Sequence, residues 1–199
     1  MPAVTRTPQT VGSLENINLA GSKAGGGHAG RTSKDQLLQG SFWDTARECA
    51  FVVTDIEGST QLSSKAGPKL FGAIQEIHDI TMREAIGQHS GLEITTEGDS
   101  FTLAFPYAPQ AVAFCIDIQH RLLETAWPHS CAKLPGFRKH VNSKGETIIV
   151  GLRVRMGVHW AGDGTVASRL HAVNKQRIFA GPGMQMAQEV CVCVCVCVC

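Results

Sequence analysis

The segment GLEITTEGDSFTLAF, residues 91–105, constrains the fold more than any other stretch of the chain. Two runs rich in β-branched and aromatic residues flank Gly98-Asp99, a pair suited to a two-residue hairpin loop. With that loop, Glu97 pairs with Ser100 and Thr96 with Phe101. One face then collects Leu92, Ile94, Phe101, Leu103 and Phe105, and the other Glu93, Thr95, Glu97, Ser100 and Thr102. A slip of one residue would mix the two sets, so the register is fixed by burial. A hairpin with one apolar face must bury it against something, and the flanking sequence should supply the cover.

Ala50 to Ile56 reads as a buried strand. Residues 66–88 read as a helix, with Leu70, Ile74, Ile77, Thr81 and Ala85 as its apolar stripe and Phe71 and His78 at the edge. Glu76, Asp79 and Arg83 fall on the far side, and Gly91 reads as a stop. Pro109 opens a second helix that runs toward Trp127-Pro128, with the stripe Ala111, Phe114, Cys115, Ile118 and Leu122. Residues 129–146 have no period and read as a loop. TIIVGLRVRMGVH, residues 147–159, reads as one strand, with Leu152, Val154, Met156 and Val158 alternating against Arg153, Arg155, Gly157 and His159. GPGMQMAQEV, residues 181–190, reads as a short helix. The order strand, helix, strand, strand, helix, strand predicts an α+β fold of the ferredoxin-like (split βαβ) kind, an antiparallel sheet with both helices on one face.

The chain has 199 residues and a formal net charge of +1. That length suits one core, and no basic patch points to nucleic acid or an anionic membrane surface. No stretch approaches the ~20 apolar residues of a spanning helix. A cytoplasmic setting is therefore expected, within reach of derivation from a larger membrane-anchored or multidomain protein. Residues 1–41, with the run Gly25-Gly26-Gly27, read as a flexible leader, 42–190 as the domain, and 191–199 as a low-complexity valine–cysteine tail. Cys191, Cys193, Cys195, Cys197 and Cys199 alternate with valine, which is not zinc-ligand spacing.

Chemistry enters with FVVTDIEGST, residues 51–60. Asp55 stands at the carboxyl end of the first strand and Asp99 in the hairpin loop, and the split βαβ topology lets those two positions face each other. Two carboxylates meeting there call for a bridging cation, and hard oxygen ligands suit Mg²⁺ or Mn²⁺. Gly58, Ser59 and Thr60 would offer backbone N–H groups at a helix start, a cradle for phosphates. Together these are the parts of phosphoryl or nucleotidyl transfer. Each motif also has a plain reading, Asp55 as a helix-capping acid and Gly98-Asp99 as an ordinary loop. The alternating arginines read as a solvated or partner-facing side, and His78 as a packed core residue.

FVVTDIEGSTQL, TTEGDSFTLAF and LRVRMGVHWAG together resemble the class III adenylate/guanylate cyclase catalytic domains, in their algal and protozoan flavour, over roughly residues 48–190. The resemblance implies a phosphorus–oxygen lyase that works as a homodimer or as a heterodimer with another cyclase domain. It implies that ATP or GTP is the substrate and that two Mg²⁺ or Mn²⁺ ions serve the release of pyrophosphate and a 3′,5′-cyclic nucleotide. By position it implies Asp55 and Asp99 as metal-binding acids, Ile56 as a metal contact through its carbonyl, and Gly58, Ser59 and Thr60 beneath the triphosphate. The family's purine-reading position, usually lysine or glutamate, falls on Thr95, and its partner position falls near Ile178. The family's catalytic asparagine and arginine fall on Gln185 and Glu189, so a cation is replaced by an acid, and Arg177 and Lys175 are the cations nearby. The valine–cysteine tail stands where the family continues with further strands. The domain is thus expected to be an incomplete cyclase, impaired by truncation. The alternative it raises is a catalytically degenerate module that dimerises with, and regulates, an intact cyclase.

Overall fold

A computed structural model describes residues 42–137, 140–145, 147–149, 151–173 and 176–193. The expected leader 1–41, Lys175 and the tail beyond residue 193 lie outside the described residues. Strand β1 (Cys49–Ile56) leads into helix α1 (Ser59–Gln88), followed by β2 (Leu92–Glu97), β3 (Ser100–Phe105) and α2 (Ala108–Glu124). After a 3₁₀ turn (His129–Lys133) come β4 (His140–Val141), β5 (Thr147–Ile149), β6 (Val154–Ala161), β7 (Ala167–Leu170), β8 (Arg177–Ala180) and α3 (Pro182–Cys193). The main sheet has the order β2-β3-β1-β6 with antiparallel neighbours, the split βαβ arrangement.

Alternation along β1 divides its side chains between two cores. Ala50, Val52 and Ile56 join the layer formed with α1 and α2, where Phe101, Leu103, Phe105, Phe114 and Met156 are fully buried. Cys49, Phe51 and Val53 join a smaller core on the other face, with Trp43, Ala104, Val166, Phe179 and Ala187. That second face is covered by α3 and the β7–β8 hairpin, so the sheet carries two helices on one side and part of a third on the other. The α2 stripe is as expected: Ala111, Phe114, Cys115, Ile118 and Leu122 are all buried.

Several local expectations are corrected. The helix begins earlier than residue 66 and is interrupted where Gly67 (φ 73°, ψ 167°) precedes Pro68, because proline excludes helical geometry in the residue before it. Its buried stripe is rotated onto Leu62, Ile74, His78, Met82 and Ala85, which puts His78 at the centre rather than the edge. In β2 the register shifts between Glu93 and Thr95: Thr95 opposes Thr102, but Glu93 opposes Leu103 and Leu92 opposes Ala104. This bulge turns Leu92 and Ile94 to the second core instead of the α1–α2 layer. It turns Glu93 toward α1, where Arg83 grips it through Nε (3.0 Å) and Nη2 (3.1 Å).

The segment 147–159 is two strands, not one. Gly151 sits at φ 147°, where a Cβ would lie 2.9 Å from the Leu122 carbonyl and 3.1 Å from Trp127 Nε1. The close approach of α2 breaks the strand there. The loop 129–146 contains the 3₁₀ turn and one side of the β4–β5 ladder, and the segment before α3 contains the β7–β8 hairpin.

Candidate active site

Strand β1 ends by delivering Asp55 to the second face of the sheet, one step beyond buried Val53. The β2–β3 turn brings Asp99 beside the backbone at the end of β1, although Asp99 does not line the cleft that Asp55 lines. The Gly98-Asp99 loop forms as expected, with Gly98 at φ 63° and Glu97 opposite Ser100. Gln75 of α1 donates to the Gly98 carbonyl at 2.8 Å, and Thr54 Oγ1 accepts the Phe101 N–H at 3.3 Å. The Ile56 N–H donates to Asp99 Oδ2 at 3.1 Å. That bond ties the second acid to the backbone of the residue next to the first. Asp55 itself is ion-paired with Arg155, directly across on β6. Just before β6, Arg153 Nε meets Glu57 at 3.1 Å. These two arginines are therefore paired with the acids at the end of β1 rather than simply solvated.

The capping reading of Asp55 does not hold. Gly58 caps α1 in the left-handed conformation (φ 68°), without a side-chain hydrogen bond, and the first turn of α1 holds no acid. Its N-terminal N–H groups, at Ser59 and Thr60, therefore meet no carboxylate of their own turn.

An open cleft of about 310 Å³ lies over the second face. It is lined by Asp55, Arg155, Thr95, Thr102, Gln188 and the Glu97/Ser100 pair, with Val53 at its apolar end. Asp55 and Thr95 are thus brought together as expected, while Gly58, Ser59 and Thr60 stand at the β1–α1 junction outside the lining. Gln185 is exposed on α3 and does not line this cleft; Gln188, one turn further on, does. Sequence reasoning missed Gln188, and the signal available was the helical spacing of three that separates it from Gln185. Glu189 is exposed on α3. Arg177, expected as a spare cation, is committed elsewhere: it donates to the Trp43 carbonyl at 2.8 Å and pairs with Asp44, with only 10% of its side chain exposed.

The donor set suits a hard divalent cation. The residues expected to hold it, Asp55, Asp99 and the Ile56 carbonyl, would all offer oxygen, with Asp55 at the end of β1 and Asp99 accepting the Ile56 N–H. Among the described residues no group of three or more His, Cys, Asp or Glu side chains could hold a metal alone. A cation here would complete its shell with water and phosphate oxygens, which is the habit of Mg²⁺. The scattered thiols do not compete for this role, since burial pushes Cys49 and Cys115 up to about 12.

A family model for the adenylate and guanylate cyclase catalytic domain matches residues 44–180. The chain belongs to that family. The adenylate cyclase of Lachancea kluyveri is 34% identical over 141 residues, a match spanning 71% of this chain and 7% of that protein. Among solved structures, a Trypanosoma brucei adenylate cyclase in its monomeric state aligns with a TM-score of 0.62 at 24% identity, covering 73% of this chain and 68% of that one. The dimeric guanylyl cyclase domain of a fusion protein from the aquatic fungus Blastocladiella emersonii aligns at 0.53 with 16% identity, covering 72% of each. Both share the cyclase fold, with its antiparallel sheet and packed helices. Among the described residues of this chain, no helix is long and apolar enough to cross a membrane.

Proposed function

We propose that this domain cyclises ATP or GTP to the 3′,5′-cyclic nucleotide with release of pyrophosphate, using two Mg²⁺ or Mn²⁺ ions, in the cytoplasm. The observation that supports it best is the hydrogen bond from the Ile56 N–H to Asp99, since Ile56 follows Asp55 directly while Asp99 lies 43 residues further along the chain. When bound, the ions would stabilise charge on the attacking 3′-oxygen and the departing pyrophosphate. Asp55, Asp99 and the Ile56 carbonyl would hold them. The first turn of α1, at Gly58, Ser59 and Thr60, would receive phosphate oxygens, and Arg155 on the cleft wall would meet the triphosphate charge.

Thr95, Thr102 and Gln188 give the cleft neutral hydrogen-bonding groups that accommodate either purine. Gln185, exposed on α3, is suited to the cleft of a second cyclase domain, and a homodimer or heterodimer would supply it there. The degenerate-regulator reading draws on a specific observation, exposed Glu189 where the family carries a cation next to the reacting phosphate.

The test is cyclic nucleotide production from ATP and from GTP with Mn²⁺, alone and mixed with an intact homologous cyclase domain. Asp55→Asn should lower turnover by at least about 100-fold, because residues that merely support a metal ligand already cost about 10–100-fold when removed. Product formation unaffected by Asp55→Asn would sink the proposal. No product from the wild type alone, with altered activity of the added domain, would favour the regulator.

A further inference from the structure

We infer that Gln75 is a positioning residue for Asp99, holding the peptide that leads into this acid so that its carboxylate meets a cation. The inference rests on the metal role proposed for Asp99. Gln75 Nε2 donates to the Gly98 carbonyl at 2.8 Å. That carbonyl belongs to the peptide unit joining Gly98 to Asp99. A peptide unit is planar, so fixing its oxygen fixes the direction in which Asp99 leaves the turn. Packing does not do this work. Gly98 has left-handed backbone, and a Cβ built there would meet no atom within 4 Å. Two further ties run to β1: Asp99 Oδ2 accepts the Ile56 N–H at 3.1 Å, and the Phe101 N–H donates to Thr54 Oγ1 at 3.3 Å. The Gln75 bond comes instead from the helix layer and acts on backbone, so it leaves the carboxylate to the cation.

Helix α1 is anchored to do this. Ile74 and His78 are buried, and half-buried Gln75 flanks them. His78 meets Phe101 edge-on, with ring centroids 5.7 Å apart. About two turns further along α1, roughly 12 Å at the usual helical rise, Arg83 grips Glu93 near the start of β2. The helix therefore holds the hairpin at both ends, by Gln75 at the loop and by Arg83 at the far end. Losing Arg83 loosens the hairpin away from the acid. Losing Gln75 frees the peptide that precedes the acid, and groups that orient a metal ligand matter nearly as much as the ligand.

The test is Mn²⁺ binding to the full chain, read by electron paramagnetic resonance of the free ion, with thermal unfolding followed by circular dichroism on the same samples. Gln75→Met, similar in length but without a donor, should bind Mn²⁺ about tenfold more weakly, the lower end of the cost of removing an orienting group. Gln75→Glu should also bind more weakly, although its added negative charge would by itself attract a cation, and it serves if the methionine variant misfolds. Arg83→Met should lower the unfolding temperature at least as far as Gln75→Met and change Mn²⁺ affinity by less than about twofold, the scale of an exposed charge acting through solvent. Equal weakening by Arg83→Met would overturn the inference by showing that any loosening of the hairpin suffices. Unchanged or tighter binding in the folded Gln75 variants, with binding still lost in Asp99→Asn, would overturn it while leaving the metal site standing. Absence of Asp99-dependent Mn²⁺ binding in every variant would overturn the metal role of Asp99 and this inference with it.

Discussion

The two faces of the central sheet are built from the same strands and obey different rules. On the face under α1 and α2, every inward position of β3 is apolar, and Phe101, Leu103 and Phe105 are fully buried. On the opposite face, the same strands are apolar at one end of the sheet, at Phe51, Val53 and Ala104, and polar at the other, at Asp55, Ser100 and Thr102. The first face is continuous and makes the fold. The second is divided, with stability at one end and a cleft at the other. A β-strand can serve both because consecutive side chains never share a face. Chemistry can therefore be placed one residue away from a core position without disturbing it.

Substitutions at neighbouring positions of β3 give the sharpest contrast. Phe101→Ala should cost about 3–5 kcal/mol of stability, the usual loss for a large buried aromatic ring. Thr102→Val, next in sequence but facing the cleft, should cost about 1 kcal/mol at most, one ordinary hydrogen bond. Urea unfolding followed by circular dichroism reads both, and comparable losses would break the distinction between faces. At the apolar end of the second face, Arg177→Met should cost roughly 2 kcal/mol, because its guanidinium ties Trp43 and Asp44 to β8 from a largely buried position. A loss below about 0.5 kcal/mol would show that this end is as tolerant as an ordinary surface.

The smallest effect concerns His78 under α1. Burial holds its pKa below the ordinary 6.5, outweighing the hydrogen bond from Nδ1 to Asp79 at 3.0 Å. The unfolded chain then takes up a proton as pH falls below about 6.5 while the folded chain does not, so this contribution is complete above that pH and declines below it. The slope should not exceed about 1.4 kcal/mol per pH unit for one proton. Unfolding measured between pH 7.5 and 5 should show the decline, and His78→Leu should flatten this component. An unchanged slope would remove His78 from the account.

The same division explains what could be read from sequence. The α2 stripe was legible residue by residue, since one helix facing one core leaves a single periodic signal. The Gly98-Asp99 loop and its first pairs were legible from turn chemistry. The bulge at Ile94 was not, because assigning every apolar residue of β2 to one face assumes that only one face is buried. Once a second core exists, Leu92 and Ile94 have somewhere else to go. The β7–β8 hairpin left little signal, since Ala167, Arg169 and Leu170 are exposed and only Phe179 of β8 is buried. In the site, Asp55, Asp99 and Thr95 were visible as motifs. Arg155 was visible only as one of two alternating arginines, and its partner is set by sheet register. Gln188 depended on the exact rotation of α3, which a short helix does not announce.

The bulge in β2 has a consequence for lengths rather than for side chains. Glu93 opposes Leu103 and Thr95 opposes Thr102, consecutive residues on β3, so Ile94 is the one residue of this strand that the ladder does not count. Deleting it would leave every remaining cross-strand partner of β2 in place, including Glu93 at Arg83, and would remove only an apolar contact with the second core. Deleting Glu93 or Thr95 instead would draw Ile94 into the ladder in place of the lost residue, on that residue's face. The sheet thus carries one position where the chain can shorten by a residue without losing any pair of the β2–β3 ladder.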